Sequence, residues 1–487
     1  MNTPAPATAP AATAPTPLDT LEPPASPAEI DASCRLPVLF LSASGAIWLV
    51  IGLLLTVISS VKMHAPGFLA DTAWLTVGRI RPAANNAILY GFAAQVTIAV
   101  ALWLFCRLGG NRLVLPRLIT LGGAIWNAGL TLGILAILGG ASTGFEWLEM
   151  PRYVWPLLFF GYIFMGVSAV VAFHGRNRLE LYPAHWFLLA ALFWFPWAYS
   201  AANLLLLRWP VRGVMQTVVD VWFTHSFLWI FLGFTALASI IYFIPKLLGR
   251  PLKTWALTVF AFWMLLLFSS FGATAQLSGG PVPAWIASIG IGANIMAAVG
   301  IITVAVVLHS TAAGAYGVAW NNLVLKFIVF AAGSFLVASL GGILLGLREV
   351  SWLTRLTYTE VAQRHLAIHG FVGMALFGSL YYIVPRVLQQ PWPTPKWVGA
   401  QFWLFGGGAA LVFLALGFGG LLHGAKLNDP SVPMVNVIKS TIPFVGMATL
   451  GYTAMLFGAG LFLVHLARLL KEGMAGCCAG FIKEVRS

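Results

Sequence analysis

Nine histidines are spread over 487 residues, and three of them lie where an imidazole is expensive. His365 and His369 open the apolar run VAQRHLAIHGFVGMALFGSLYYIVPR at residues 361–386. His225 lies inside a second run, VWFTHSFLWIFLGFTALASIIYFIPKLLGRP. A titratable side chain inside hydrocarbon is costly, so such a residue is a candidate functional group. His365 and His369 are four apart and share a helix face. Paired imidazoles at that spacing can grip a metal, or one can ligate haem iron. The structural alternative is an interhelical hydrogen bond to a hydroxyl or carbonyl, which is common in membrane bundles. His174, His185, His309, His423 and His465 fall near expected span ends, and His64 in an expected loop, where a ring reaches the interface. Asp220 and Glu360 approach span starts and read as solvated helix-start charges. No His-Glu-x-x-His, phosphate-binding glycine loop or paired carboxylate set lies in the runs, so no catalytic residue is assigned.

The elements that carry these residues are membrane helices. The chain is 60% hydrophobic and 8% charged, which excludes an ordinary soluble protein. A window of about 20 apolar residues gives twelve spans, centred near Trp48, Val96, Ile125, Phe160, Ala191, Phe231, Phe262, Gly292, Phe330, Leu376, Phe405 and Leu456. The fold class is therefore an all-α integral membrane protein. Residues 1–35 are Pro/Ala/Thr-rich and carry a net charge of −3, so they read as a disordered tail with no signal-peptide pattern. Residues 36–472 form the membrane domain and 473–487 a short second tail. The formal charge of +13 becomes +16 without the first tail. That excess sits in short loops and reads as topology control, not nucleic-acid binding. Arg107, Arg112, Lys246, Arg250 and Arg386 fall on the side of the termini, which predicts cytoplasmic termini. Four cysteines make no disulfide framework. Adjacent Cys477 and Cys478 suit reversible acylation or simple tail filler. Without Cys-x-x-Cys-His there is no site for a covalent c-type haem.

Four blocks resemble subunit I of the haem–copper respiratory oxidases, closest to the cbb₃-type branch and its nitric-oxide-reductase relatives. They are DTAWLTVGRIRPAANNAILYGF (71–92), VWFTHSFLWIF to IPKLLGRP (221–251), LLLFSSFGATAQL (265–277) and VAQRHLAIHGFVGMALFGSLYYIVPR (361–386). The resemblance implies a low-spin haem b between two helices, and a high-spin haem beside a copper held by three histidines. On that pattern His365 stands at a low-spin haem ligand and His225 at the first copper ligand. The second low-spin ligand falls at Ala84, the high-spin ligand at Gln363 and the copper-ligating pair at Ala275 and Gln276. The tyrosine beside the copper falls near Ser269, and a ninth-span glutamate near Gly341. Arg79 and Arg81 fall where propionates would be neutralised, although simple interfacial anchoring explains them too.

The resemblance thus implies a ligand-depleted relative: at most one haem b on His365, no copper, and a scaffold or electron-relay role in a respiratory complex. A membrane-anchored cytochrome c would be its partner and a bacterial-type inner membrane its location. One alternative is an active terminal oxidase or nitric-oxide reductase with unusual ligands. The other is a non-redox transporter or assembly factor on an inherited fold.

Overall fold

The structure, a computed structural model, describes residues 24–178 and 180–486, with side chains through 472. Twelve helices are long and apolar enough to cross a membrane: span 1 Pro27–His64, span 2 Val77–Gly109, span 3 Pro116–Gly139, span 4 Trp155–His174, span 5 Pro183–Arg208, span 6 Met215–Leu248, span 7 Trp255–Leu277, span 8 Ala284–Ala312, span 9 Leu325–Gly346, span 10 Tyr358–Leu388, span 11 Pro395–Leu427 and span 12 Met434–Glu472. No strand occurs among the described residues. A backbone in hydrocarbon has to satisfy its own polar groups, which helices do within one segment.

Span 1 starts earlier than expected. Residues 27–35 belong to the helix and not to a disordered tail, because Ser26 opens a capping box. Its hydroxyl accepts from the Glu29 N–H at 3.3 Å, and its own N–H donates to the Glu29 carboxylate at 2.9 Å. The new turns are anchored: Asp31 is buried and accepts from the Trp103 indole at 2.8 Å, and Glu29 pairs with Arg112. Residues 1–23 lie outside the described part. At the other end the last helix runs on to Arg486, and the side chains of Cys477 and Cys478 fall outside the described residues.

Burial divides the spans into two shells. In spans 2, 6 and 10 the most apolar window is 94% buried, whereas in the other nine it is 33–50% buried. Three helices therefore form an inner group and nine face lipid. Each inner helix carries a π-helical stretch: Ala87–Ala94, Ser226–Leu232 and Leu366–Gly373. The α-helical segments before them end at Asn86, His225 and His365. Wide turns of this kind inside α-helices frequently accompany functional sites.

Outer helices pack through small residues. A Cβ on Gly408 would lie 2.6 Å from the Gly451 carbonyl, and one on Gly451 would lie 2.8 Å from that of Gly408. Spans 11 and 12 meet there at backbone distance, which only glycine permits. One polar cluster is internal to spans 1–3. Asn127 exchanges hydrogen bonds with Gln95 at 2.8 and 3.1 Å, Trp48 donates to Asn127 at 2.8 Å, and Ser44 donates to Gln95 at 2.6 Å. Every member has a partner, which is what makes such a cluster tolerable in hydrocarbon.

Candidate functional site: two cavities beside the inner helices

The loop between spans 3 and 4 folds over one end of the inner helices. Glu146 pairs with Arg364 of span 10, and its N–H donates to Asp220 of span 6 at 3.3 Å. Asn86 of span 2 donates to Glu149 at 2.7 Å, and Tyr90 donates to the Trp147 carbonyl at 2.7 Å. Trp147 adopts φ +61° while 2% exposed, a left-handed conformation rare for a bulky residue. Burial pushes the Glu149 carboxyl up to about 7, against the pull of the Asn86 hydrogen bond.

Two cavities lie on either side of span 10, and Trp147 of the cap lines the larger. The larger is bounded by spans 6–10. His225, Ser269, Ala275, Gln276 and Gln363 all line it, together with Thr224, Asn294, Ser339, Glu360 and Arg364. The Nδ1 atom of His225 and the hydroxyl of Ser339 are buried without a hydrogen-bond partner. Gln363 donates to the Ala338 carbonyl at 2.9 Å. Glu360, expected as a solvated helix-start charge, instead faces this cavity. Asp220 is likewise tied to the cap through one oxygen, and its other oxygen is buried without a partner. At Asp220 the cause is the overlying loop, whose Glu146 N–H takes the place of a water.

The smaller cavity lies among spans 1, 2, 10, 11 and 12. Arg81, Ala84 and Asn85 line it from span 2, His365, Val361 and Tyr358 from span 10, and Tyr452 from span 12. The Tyr452 hydroxyl is 3.1 Å from His365 Nε2, while His365 Nδ1 is buried without a partner. Gln363 and His365, with one residue between them, thus face different cavities.

The remaining sequence candidates are placed as follows. Arg79 turns to the end of span 3, donating to the Leu138 carbonyl at 3.3 Å, and does not line the cavity that Arg81 lines. His369 stacks on His365 with centroids 5.4 Å apart and an interplanar angle of 11°, so the pair lies ring on ring. His64 is the last residue of span 1 and not a loop residue, and its Nε2 is 3.1 Å from the Thr449 hydroxyl. His185 and His465 are buried, at 1% and 0% exposure. Among the described residues no three His, Cys, Asp or Glu side chains are grouped to hold a metal ion. Tyr452 and the cap carboxylates are site residues that the sequence did not single out. The one signal for Tyr452 was a phenol in an apolar run between Gly451 and Thr453.

A twelve-span bundle with two cavities flanking the tenth span defines the class of subunit-I-type respiratory cores. The chain belongs to the family described as cytochrome c and quinol oxidase polypeptide I, whose model matches residues 37–454. It is 24% identical over 395 residues to the cytochrome c oxidase subunit 1 homolog of Azorhizobium caulinodans, covering 77% of this chain and 70% of that one. It is 22% identical over 433 residues to the cbb3-type cytochrome c oxidase subunit CcoN1 of Stutzerimonas stutzeri, covering 86% of this chain and 90% of the relative. Among solved structures, a haem–copper terminal oxidase dimer determined by cryo-electron microscopy superposes with a TM-score of 0.63. At 14% identity, over 89% of this chain and 84% of that one, that likeness is one of fold. The protein is a multi-pass membrane member of the haem–copper oxidase subunit I family, related to the cbb₃ type.

Proposed function

We propose that this chain is a ligand-depleted subunit I: a membrane core that holds at most one haem b and serves as electron relay or scaffold within a respiratory complex. The observation that carries this reading is the difference between the two cavities. Among the described residues that line the larger one the only imidazole is His225, and a side chain that could face it as a second ligand, Gln363, is hydrogen-bonded to Ala338. Copper affinity depends on ligand number and geometry, and this donor set does not fit a copper held by three imidazoles. No step is therefore assigned to the larger cavity.

The smaller cavity fits a haem on one side. His365 would supply the axial nitrogen, releasing the Tyr452 hydroxyl that now occupies Nε2. Arg81 at the cavity wall would pair with a propionate, whereas Arg79 is committed to Leu138. A bound haem supplies one-electron chemistry. The chain's own part is to bind and orient it and to exclude water with Val361, Leu416, Val445 and Ala448. We further infer cytoplasmic termini in a bacterial-type inner membrane, from the loop charges, and a membrane-anchored cytochrome c as partner. A reporter fused to the C-terminus is expected to register as cytoplasmic.

The test is a reduced-minus-oxidised optical spectrum of the detergent-purified chain, with haem and copper quantified on the same sample. One haem b without copper is the expected result. Stoichiometric copper, or oxygen or nitric-oxide consumption that collapses in His225→Ala, would instead establish an active reductase, the reading favoured by His225 standing in a large retained cavity. A chain with no haem would be left as a scaffold, transporter or assembly factor.

A further inference from the structure

Among the span 2 side chains that line the smaller cavity, none is suited to iron. Span 2 presents Ala84, a methyl group, and Asn85, a carboxamide. Neutral amides are poor iron ligands beside imidazole, thiolate, thioether or phenolate. The neighbouring Asn86 is turned away, since its amide nitrogen donates to the Pro82 carbonyl at 2.9 Å and to Glu149 at 2.7 Å. Nor can span 2 rotate to bring it in. At Gly52 span 1 is seated so closely that a Cβ there would lie 2.6 Å from Ile88 and 3.1 Å from the Ala84 carbonyl. Tyr452 is engaged on the His365 nitrogen itself. Met63, the one thioether in the lining, is 41% exposed at the rim.

We propose that the Ala84 face leaves a haem held by His365 with an open coordination position, and that this position binds small neutral diatomic molecules such as carbon monoxide or nitric oxide. The inference rests on the one-haem reading and gives that haem a ligand, making the chain a gas-binding haem protein in addition to any relay role. Arg81 and the polar Thr56, Ser59, Ser60 and Asn85 share the lining with the Ala84 methyl and the aliphatic Val361, Leu416 and Val445, and a small neutral diatomic needs no charge partner among them. Binding adds one ligand to iron and transfers no electron. It requires only that the iron be ferrous, which dithionite provides in the experiment.

The experiment adds carbon monoxide to the dithionite-reduced, detergent-purified full chain and follows the Soret band while haem and copper are quantified. The expected result is uptake of about one carbon monoxide per haem, with copper absent. Ala84→His should supply the missing ligand, convert the spectrum to a six-coordinate low-spin form and weaken carbon monoxide uptake at least tenfold. Ala84→Met is the second choice should the histidine variant not accumulate, and the same loss is expected. His365→Ala should remove both haem and uptake. A haem that ignores carbon monoxide, or that begins to bind it only in Met63→Leu, would overturn this inference and leave the one-haem reading standing. Uptake unchanged in Ala84→His, or retained in His365→Ala, would likewise overturn it. A chain without haem would overturn this inference and the relay role and leave a scaffold, whereas copper with a second haem would overturn both this inference and the ligand-depleted reading.

Discussion

Tyr452 and Glu149 are the two residues whose chemistry differs most from what their types suggest. In the haem-free chain the Tyr452 hydroxyl satisfies the nitrogen through which His365 would meet iron. Its hydrogen bond therefore competes with haem, by about 1 kcal/mol for an ordinary pair. Tyr452→Phe should raise haem affinity about fivefold, as measured by haem titration of the apoprotein. Glu149 carries a carboxyl raised from 4.5 to about 7 by burial. Its folded form thus binds a proton more tightly than the unfolded chain does. Stability should fall as pH rises through the window from about 4.5 to about 7, by up to about 3 kcal/mol, and stay low above it. Glu149→Gln keeps an oxygen for Asn86 and removes the charge. It should be more stable than the native chain at pH 8 and flatten the dependence, which thermal unfolding in detergent at several pH values will read. His225 and His365 stood out in the sequence as polar groups in apolar runs and Arg81 through the oxidase-like block at 71–92, and all three line the cavities. The sequence did not reveal Glu149 or Tyr452, whose importance comes from what folds over or against them.

At the level of elements, the twelve spans were legible because hydrocarbon imposes a length and composition on each. The start of span 1 was not. Its first turns continue the Pro/Ala composition of the tail, and the four-residue Ser-Pro-Ala-Glu signal at 26–29 is small against that background. Nor could hydropathy tell inner from outer helices, since an inner span meets protein and an outer one lipid, and both surroundings are apolar. What separates them is packing, and packing can be tested at paired glycines. Gly408→Val would push a methyl into the Gly451 carbonyl and drive spans 11 and 12 apart, at a cost of about 1–3 kcal/mol. Gly407, one residue along the same helix, has open space where its Cβ would be. Gly407→Val should leave the thermal midpoint nearly unchanged, so the pair separates a local clash from a general loss of helical propensity.

Across the whole molecule, the two cavities and the cap depend on contacts that join distant parts of the chain, and these were the least legible. Arg364 and Glu146 are 218 residues apart. The larger cavity draws on five spans and the smaller on another five, with span 10 common to both. The blocks resembling the oxidase family pointed to several of the lining residues one at a time. Their grouping into two chambers divided by a single helix follows from the fold. The loop over the inner helices has a further consequence, which concerns synthesis. Its residues leave the ribosome well before span 10, yet Glu146 finds its cationic partner only on that helix. The buried φ +61° turn at Trp147 also needs the finished surroundings to hold it. The loop should therefore be among the last parts to settle, a clasp that closes once the tenth helix arrives. Stalled chains ending before residue 355 should be cut by protease within 140–154, and chains extending past residue 390 should resist.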